Sequence, residues 1–321
     1  MFSFTELSKL FEERFNVRHF PTHTESLYDP AQYILGLGGK RIRPVCVLMG
    51  NELFDKINPD AWQVATAIEL FHNFTLVHDD IMDKAPLRRG VQTLHTKYGE
   101  STALLAGDVM LVTAYDYLNK IKTDISQRIV QVFNKTAKEV CEGQQLDMDY
   151  EKREIVSMNE YVQMITLKTS VLLASSLKLG AILGGAGEGN QNHLYEFGRN
   201  LGIAFQVQDD YLDAFGDPEK FGKQLGGDIL ANKKTFLLIH AMESGSVAQA
   251  DELKKLMSGN AANKIEKVLQ VFKDCKADDW ARSLKDKYLQ TALQHLEDTA
   301  VLSVRKKPLM ELAEYLISRD K

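Results

Sequence analysis

Residues 58–86 read NPDAWQVATAIELFHNFTLVHDDIMDKAP, and this stretch decides the fold class. Asn58 followed by Pro59 is an N-cap with proline at the first helical position, where an N–H would have no intrahelical partner anyway. Apolar residues then recur every three or four positions until Asp83 to Pro86 closes the segment. A helix over roughly 60–84 follows. Working outward, the chain carries seven prolines but none between Pro86 and Pro218, and the same apolar spacing runs through that interval. Further helices are expected at roughly 41–54, 101–120, 124–149, 159–184, 190–214, 233–244, 261–274, 278–300 and 307–319. No segment shows a convincing strand alternation. The expected fold is all-α. No linker, low-complexity tract or charge block divides it, so a single domain over 1–321 is expected.

Apolar residues make up 44% of the chain and charged ones 26%, enough for a buried core and not a disordered composition. The 39 basic against 44 acidic side chains leave a formal charge of −5, which argues against nucleic acid as a partner and requires any phosphate site to be a local cluster of cations. Cys46, Cys141 and Cys275 are odd in number and far apart. They suit neither a zinc site nor a disulfide framework, and a reducing cytoplasm fits. Glu6, Glu12, Glu13 and Arg14 near the N-terminus do not compose a secretory signal. The most apolar stretch, Val171 to Gly187, contains Lys178 and is interrupted by glycines, so it reads as a buried core helix with its exit loop and not as a transmembrane segment.

The end of the opening helix has an echo. Val77-His78-Asp79-Asp80-Ile81-Met82-Asp83 and Val207-Gln208-Asp209-Asp210-Tyr211-Leu212-Asp213 share V-x-D-D-x-x-D, each at the C-terminal end of a long expected helix. Aspartates three and four apart project from one helical face about one turn apart and repel. The negative end of the helix dipole adds to the penalty. A lone D-D-x-x-D is as readily a solvated helix end, but two matched copies flanked by Leu76, Val77, Ile81, Phe205, Val207 and Leu212 are not free surface. Oxygen ligands without imidazole or thiolate suit magnesium, which binds carboxylates together with substrate phosphates. The pair reads as two halves of one diphosphate site.

Cations are at hand. Gly38-Gly39-Lys40-Arg41-Ile42-Arg43-Pro44 sets three beside a glycine pair, and Arg88-Arg89-Gly90 follows the first cluster. Arginine forks grip phosphate oxygens in pairs, whereas lysine acts as a point charge. Gly39-Lys40-Arg41 is not a P-loop, since no Ser or Thr follows the lysine, and Gly185 to Gly189 lacks dinucleotide-binding spacing. Glu69-Leu70-Phe71-His72 is a single Glu-x-x-His pair where a di-iron bundle needs two.

These motifs, with Lys168-Thr169, Phe205-Gln206 and Gly227-Asp228 followed by Lys233, make the whole chain resemble the trans-isoprenyl diphosphate synthases, the family of farnesyl, geranylgeranyl and polyprenyl diphosphate synthases. The resemblance implies an isoprenoid synthase helical bundle around a deep central cavity. It further implies a prenyltransferase that condenses isopentenyl diphosphate with an allylic diphosphate. Asp79, Asp83 and Asp209 would be the principal ligands of three magnesium ions, with Asp80, Asp210 and Asp213 completing the cage. Arg88, Lys168, Lys223 and Lys233 would hold the allylic diphosphate. Lys40, Arg43, His72 and Arg89 would hold isopentenyl diphosphate, and Thr169, Gln206 and Phe205 would line the reacting carbons. A cytoplasmic homodimer is implied as well. A class I terpene cyclase is the rival enzyme, but by family pattern its second motif would carry Asn, Ser or Thr, and Glu, where this chain has three aspartates.

Product length is read from helix geometry. Phe71, Thr75, Asp79 and Asp83 are spaced by four and form one row, so the growing tail is expected to run along it, with Phe71 or Phe74 as its floor. An aromatic residue five positions before the first aspartate and a small one at four resemble the geranylgeranyl enzymes. A twenty-carbon product is therefore expected, with fifteen carbons as the alternative.

Overall fold

The computed structural model describes residues 1–122, 124–216, 225–259 and 263–318. They fall into two compact units, residues 1–135, 175–194 and 300–309 in the first, and 136–174, 195–299 and 310–321 in the second.

The first unit begins with α1 (Phe4–Phe15), opened by a capping box in which Ser3 and Glu6 satisfy each other's backbone N–H groups. It continues through α2 (Glu25–Leu35), α3 (Ile42–Glu52) and α4 (Pro59–Met82). The Asn58 side chain accepts from the Asp60 N–H at 2.9 Å, the cap read from sequence. Val64, Ile68, Leu70, Phe71 and Val77 of α4 are buried, and α4 packs most extensively against α6 (Glu100–Leu118) and next against α3. Gly107 of α6 makes the approach possible, because a Cβ there would lie 2.4 Å from the His78 ring. Between α4 and the short α5 (Leu94–Tyr98) lies a hairpin of β1 (Leu87–Arg88) and β2 (Val91–Gln92), the only strand pair among the described residues. Its two turn residues, Arg89 and Gly90, both have positive φ, as a tight two-residue hairpin requires.

The second unit holds α8 (Met158–Ile165), α11 (Gly227–Leu230), α12 (Phe236–Ser244), α13 (Val247–Ser258), α14 (Lys264–Asp274) and α15 (Ala277–Asp298). Its core includes Met164, Ile203, Val207, Phe236, Leu253 and Phe272. α7 (Ser126–Glu151), α9 (Val171–Leu183), α10 (Glu188–Phe215) and α16 (Ser303–Ile317) contribute residues to both units. The helix expected over 159–184 is not uniform, because Thr166–Ser170 forms a π-helical turn between α8 and α9. The run Met158–Leu183 is long and apolar enough to cross a membrane by composition, yet 72% of its most apolar window is buried in the fold.

Candidate active site

In the first unit the three motif aspartates at the C-terminal end of α4 differ in exposure. Asp83 caps the helix in solvent, the Asp79 side chain is 21% exposed, and that of Asp80 is 2% exposed. Arg88 answers the buried one, donating from Nε to Asp80 Oδ2 at 2.8 Å and from Nη2 to Oδ1 at 2.8 Å, while Nη2 stands 3.6 Å from Asp79 Oδ2. Burial raises the Asp80 pKa, and the Arg88 bonds offset only part of that rise.

The basic residues meet beside this cluster. Arg43 of α3 donates from Nη1 to His72 Nε2 at 3.0 Å. A guanidinium has no acceptor, so Nε2 accepts and the neutral ring carries its proton on Nδ1. Burial, with Arg43, Arg89, Arg88 and Arg41 around it, holds the His72 pKa well below its ordinary value. Arg89 donates to the Gly38 carbonyl, and a Cβ on Gly39 would come within 3.0 Å of its guanidinium, so the glycine pair is a seat for Arg89. Lys40 is exposed on that loop. Arg41, by contrast, is 4% exposed and bonded to Glu69 and to the Leu35 carbonyl.

On α4, Phe71 is buried against Phe74 and Phe133, with ring centroids 5.6 and 5.3 Å away. Phe74 is half-buried with its ring 4.6 Å from His78. Thr75 bonds its own helix, Oγ1 to the His72 carbonyl at 2.8 Å.

The second cluster lies in the second unit. Asp210 is 4% exposed and accepts from Tyr161 Oη at 2.9 Å, from Gln206 Nε2 at 2.9 Å and from the Phe236 N–H at 3.4 Å. Burial, reinforced by nearby Asp228, pushes its pKa up to about 8. Asp213 holds the next segment, its Oδ2 accepting from the Asp228 N–H at 3.0 Å and its carbonyl from the Gly226 N–H at 2.7 Å. Asp209 and Phe205 are half-buried on the same helix. Lys233 is half-buried, its N–H bonded to the Asp228 carbonyl at 3.0 Å; Lys223 lies outside the described residues.

Lys168 and Thr169 sit in the π-helical turn, a device that recurs at functional sites. Two glycines let the turn be packed closely. A Cβ on Gly143 of α7 would fall 2.2 Å from the Lys168 nitrogen, and one on Gly202 of α10 would fall 2.8 Å from Ser170 Cα. Lys168 Nζ donates to Asp147 Oδ2 at 2.5 Å. Sequence reasoning missed Asp147, Tyr161 and Glu69. The available signal for Asp147 was Gly143 inside a long helix, where glycine costs about 1 kcal/mol and so marks a close approach. A cavity of about 480 Å³ in the second unit, floored by Val156, Leu238, Ile239, Leu253 and Met257, includes no residue of an aspartate motif.

Residues 24–275 match the polyprenyl synthetase family model. The chain belongs to that family. This polyprenyl synthetase is 40% identical over 317 residues to the geranylgeranyl pyrophosphate synthase of Geoglobus acetivorans, covering 98% of this chain and 97% of that one. It is 37% identical over 302 residues to the geranylgeranyl diphosphate synthase of Methanosarcina mazei, covering 93% and 91%. A crystal structure of a geranylgeranyl pyrophosphate synthase superimposes with a TM-score of 0.95 at 43% identity over the whole of both chains. The polyprenyl synthetase is thus a trans-isoprenyl diphosphate synthase with the all-α fold of its relatives, a short-chain prenyltransferase that joins isopentenyl diphosphate to an allylic diphosphate. Its family uses divalent metal ions.

Proposed function

We propose that this polyprenyl synthetase makes a twenty-carbon product, geranylgeranyl diphosphate. The observation that carries the product length is the α4 row Phe71, Thr75, Asp79 and Asp83, with Phe74 half-buried beside it. The relatives described as geranylgeranyl synthases support the same length. A fifteen-carbon product is the second reading.

The donor set fits magnesium: six aspartate carboxylates in two matched motifs, all of them hard oxygen ligands. Asp79, Asp83 and Asp209 would be the principal ligands of three ions, and Asp80, Asp210 and Asp213 would act through water or through the ligands themselves. When bound, magnesium neutralises diphosphate charge and so favours departure of the leaving group. Arg88, Lys168, Lys233 and Lys223 grip that diphosphate, which requires Arg88 to share its bonds with Asp80 and Lys168 its bond with Asp147. The allylic carbon–oxygen bond breaks with its electron pair going to oxygen. The isopentenyl double bond, positioned by Lys40, Arg43, His72 and Arg89, attacks the allylic carbon, and the departing diphosphate takes the proton released. Thr169, Gln206 and Phe205 line the reacting carbons. Fixed cations around the developing negative charge supply the stabilisation that usually dominates catalysis.

Both units belong, in this reading, to one catalytic domain over 1–321, since four helices contribute to each. We place the enzyme in the cytoplasm, which suits its three free cysteines. A homodimer is proposed on α6, where Leu104, Leu105 and Val112 are exposed. Val112→Glu with Leu105→Glu should turn a sedimenting dimer into a monomer, and a wild-type monomer at micromolar concentration would reject this arrangement.

Product analysis tests the main reading. With isopentenyl diphosphate and dimethylallyl, geranyl or farnesyl diphosphate, the dominant product should have twenty carbons. Phe74→Ala should lengthen it and Thr75→Phe should shorten it. If both folded variants keep the wild-type distribution, the floor lies on another helix.

A further inference from the structure

Arg41 and Glu69 are an ion pair that the reaction does not call for. Their side chains are 2% and 5% exposed, and no substrate need touch them. Buried pairs are poor stabilisers, because desolvation offsets most of the attraction, and apolar replacements of similar volume are often as stable. Their placement suggests what this pair does. Arg41 is the residue from which α3 starts, in left-handed conformation, two positions before Arg43. Its guanidinium ties that point to Glu69 of α4 and to the Leu35 carbonyl at the end of α2. Glu69 lies one helical turn before His72, the acceptor of Arg43, and its position is fixed from its own helix by Asn73 Nδ2 at 3.1 Å. Burial lowers the pKa of Arg43 and of Arg89, and the Glu69 charge offsets part of that fall in each. One carboxylate is thus set against three guanidiniums, those of Arg41, Arg43 and Arg89.

We propose that Glu69, through Arg41, is the positioning residue of the isopentenyl diphosphate pocket. It fixes the start of α3 relative to His72 so that Arg43 and Arg89 present two charges to one diphosphate. The inference rests on the reading of Arg43 and Arg89 as ligands of that substrate.

The test separates positioning from stability. Glu69→Gln keeps the shape and an acceptor oxygen but removes the charge. It should raise KM for isopentenyl diphosphate by about tenfold or more, as loss of a charge-assisted bond does, and leave KM for the allylic primer within about twofold. The double variant Arg41→Met with Glu69→Leu should melt near the wild-type temperature and still show the raised isopentenyl KM. A folded double variant with wild-type KM overturns the proposal, as does an equal rise for both substrates. If the double variant does not fold, Glu69→Gln decides alone, and an unchanged isopentenyl KM overturns the proposal. Arg43→Ala, run beside them, distinguishes the failures: if it too leaves that KM unchanged, the pocket itself has been misassigned.

Discussion

The two aspartate clusters share the same letters and solve opposite problems. Around Asp80 the compensating charge is a guanidinium, delivered by a hairpin whose turn forces Arg89 and Gly90 to positive φ. Around Asp210 there is a phenol, an amide and a backbone N–H, and burial with Asp228 nearby lifts the pKa to about 8, so the metal-free form balances the site with a proton. The repeated motif therefore specifies where carboxylates go, and the surrounding helices specify how each is kept from destabilising the fold. The first cluster meets its buried carboxylate with a guanidinium, while in the second burial favours the neutral form of Asp210.

If both clusters serve one metal–diphosphate assembly, this difference should vanish in turnover. Asp79→Ala and Asp209→Ala should each lower kcat at least about 100-fold, the scale of removing a key electrostatic stabiliser. Steady-state assays with magnesium check this, and a near wild-type rate in either folded variant would break the shared assembly.

Arg88 and Lys168, the two cations proposed for the allylic diphosphate, are held by different devices, one paired with Asp80 and the other with Asp147. Lys168 stands in a π-helical turn that Gly143 admits, so Gly143→Ala forces a Cβ into the Lys168 backbone and should destabilise by roughly 1–3 kcal/mol, the usual penalty of overpacking. Arg88→Ala leaves Asp80 buried without its partner and should remove about 1–3 kcal/mol by that separate route. Urea melts of the metal-free proteins measure both. The primer KM should rise in both while isopentenyl KM changes in neither, as expected if Lys168 and Arg88 hold the allylic diphosphate.

Much of this was legible in the sequence because local rules and global fold agree there. α4 was expected over 60–84 and runs Pro59–Met82, since its N-cap, proline and closing Asp83 are all read within one helix. α10 was expected over 190–214 and runs Glu188–Phe215. The helices α1, α2 and α13 were missed, as were the short α5 and α11. Ser3 with Glu6 and Ser246 with Gln249 are capping boxes that would have found α1 and α13, whereas α2 starts from Thr24 in left-handed conformation with no side-chain cap, and Pro30 sits within it. The π-helical turn was not legible, because it follows from the close approach of α7 and α10 at Gly143 and Gly202 and from no pattern within Thr166–Ser170. The site residues missed, Asp147, Tyr161 and Glu69, are partners of residues named by the motifs. Their roles are set by tertiary contact, which spacing along the chain does not encode.

The pH dependence of stability bears most directly on the contrast between the clusters. In the unfolded chain Asp210 has the ordinary carboxyl pKa near 3.8, and in the metal-free fold about 8. Between these values the native state binds more protons than the unfolded state, so stability falls as pH rises through that window. The contribution is fully present below about pH 4 and lost above about pH 8. Asp210→Asn fixes the neutral state. It keeps an oxygen to accept from Tyr161, and its amide can pair with Gln206 after that side chain turns. In chelator, the variant should melt with wild type near pH 4 and above it by pH 9, the gap opening as pH rises through the window. Arg88→Ala should show no such gain at alkaline pH, since it leaves Asp80 without its compensating charge. Magnesium and a diphosphate should narrow the gap between Asp210→Asn and wild type, because binding favours the ionised aspartate in the native state. Differential scanning fluorimetry from pH 4 to 9 reads all of this. If the two melting curves stay parallel across the range, Asp210 is ionised in the metal-free fold and the two clusters are balanced in the same way.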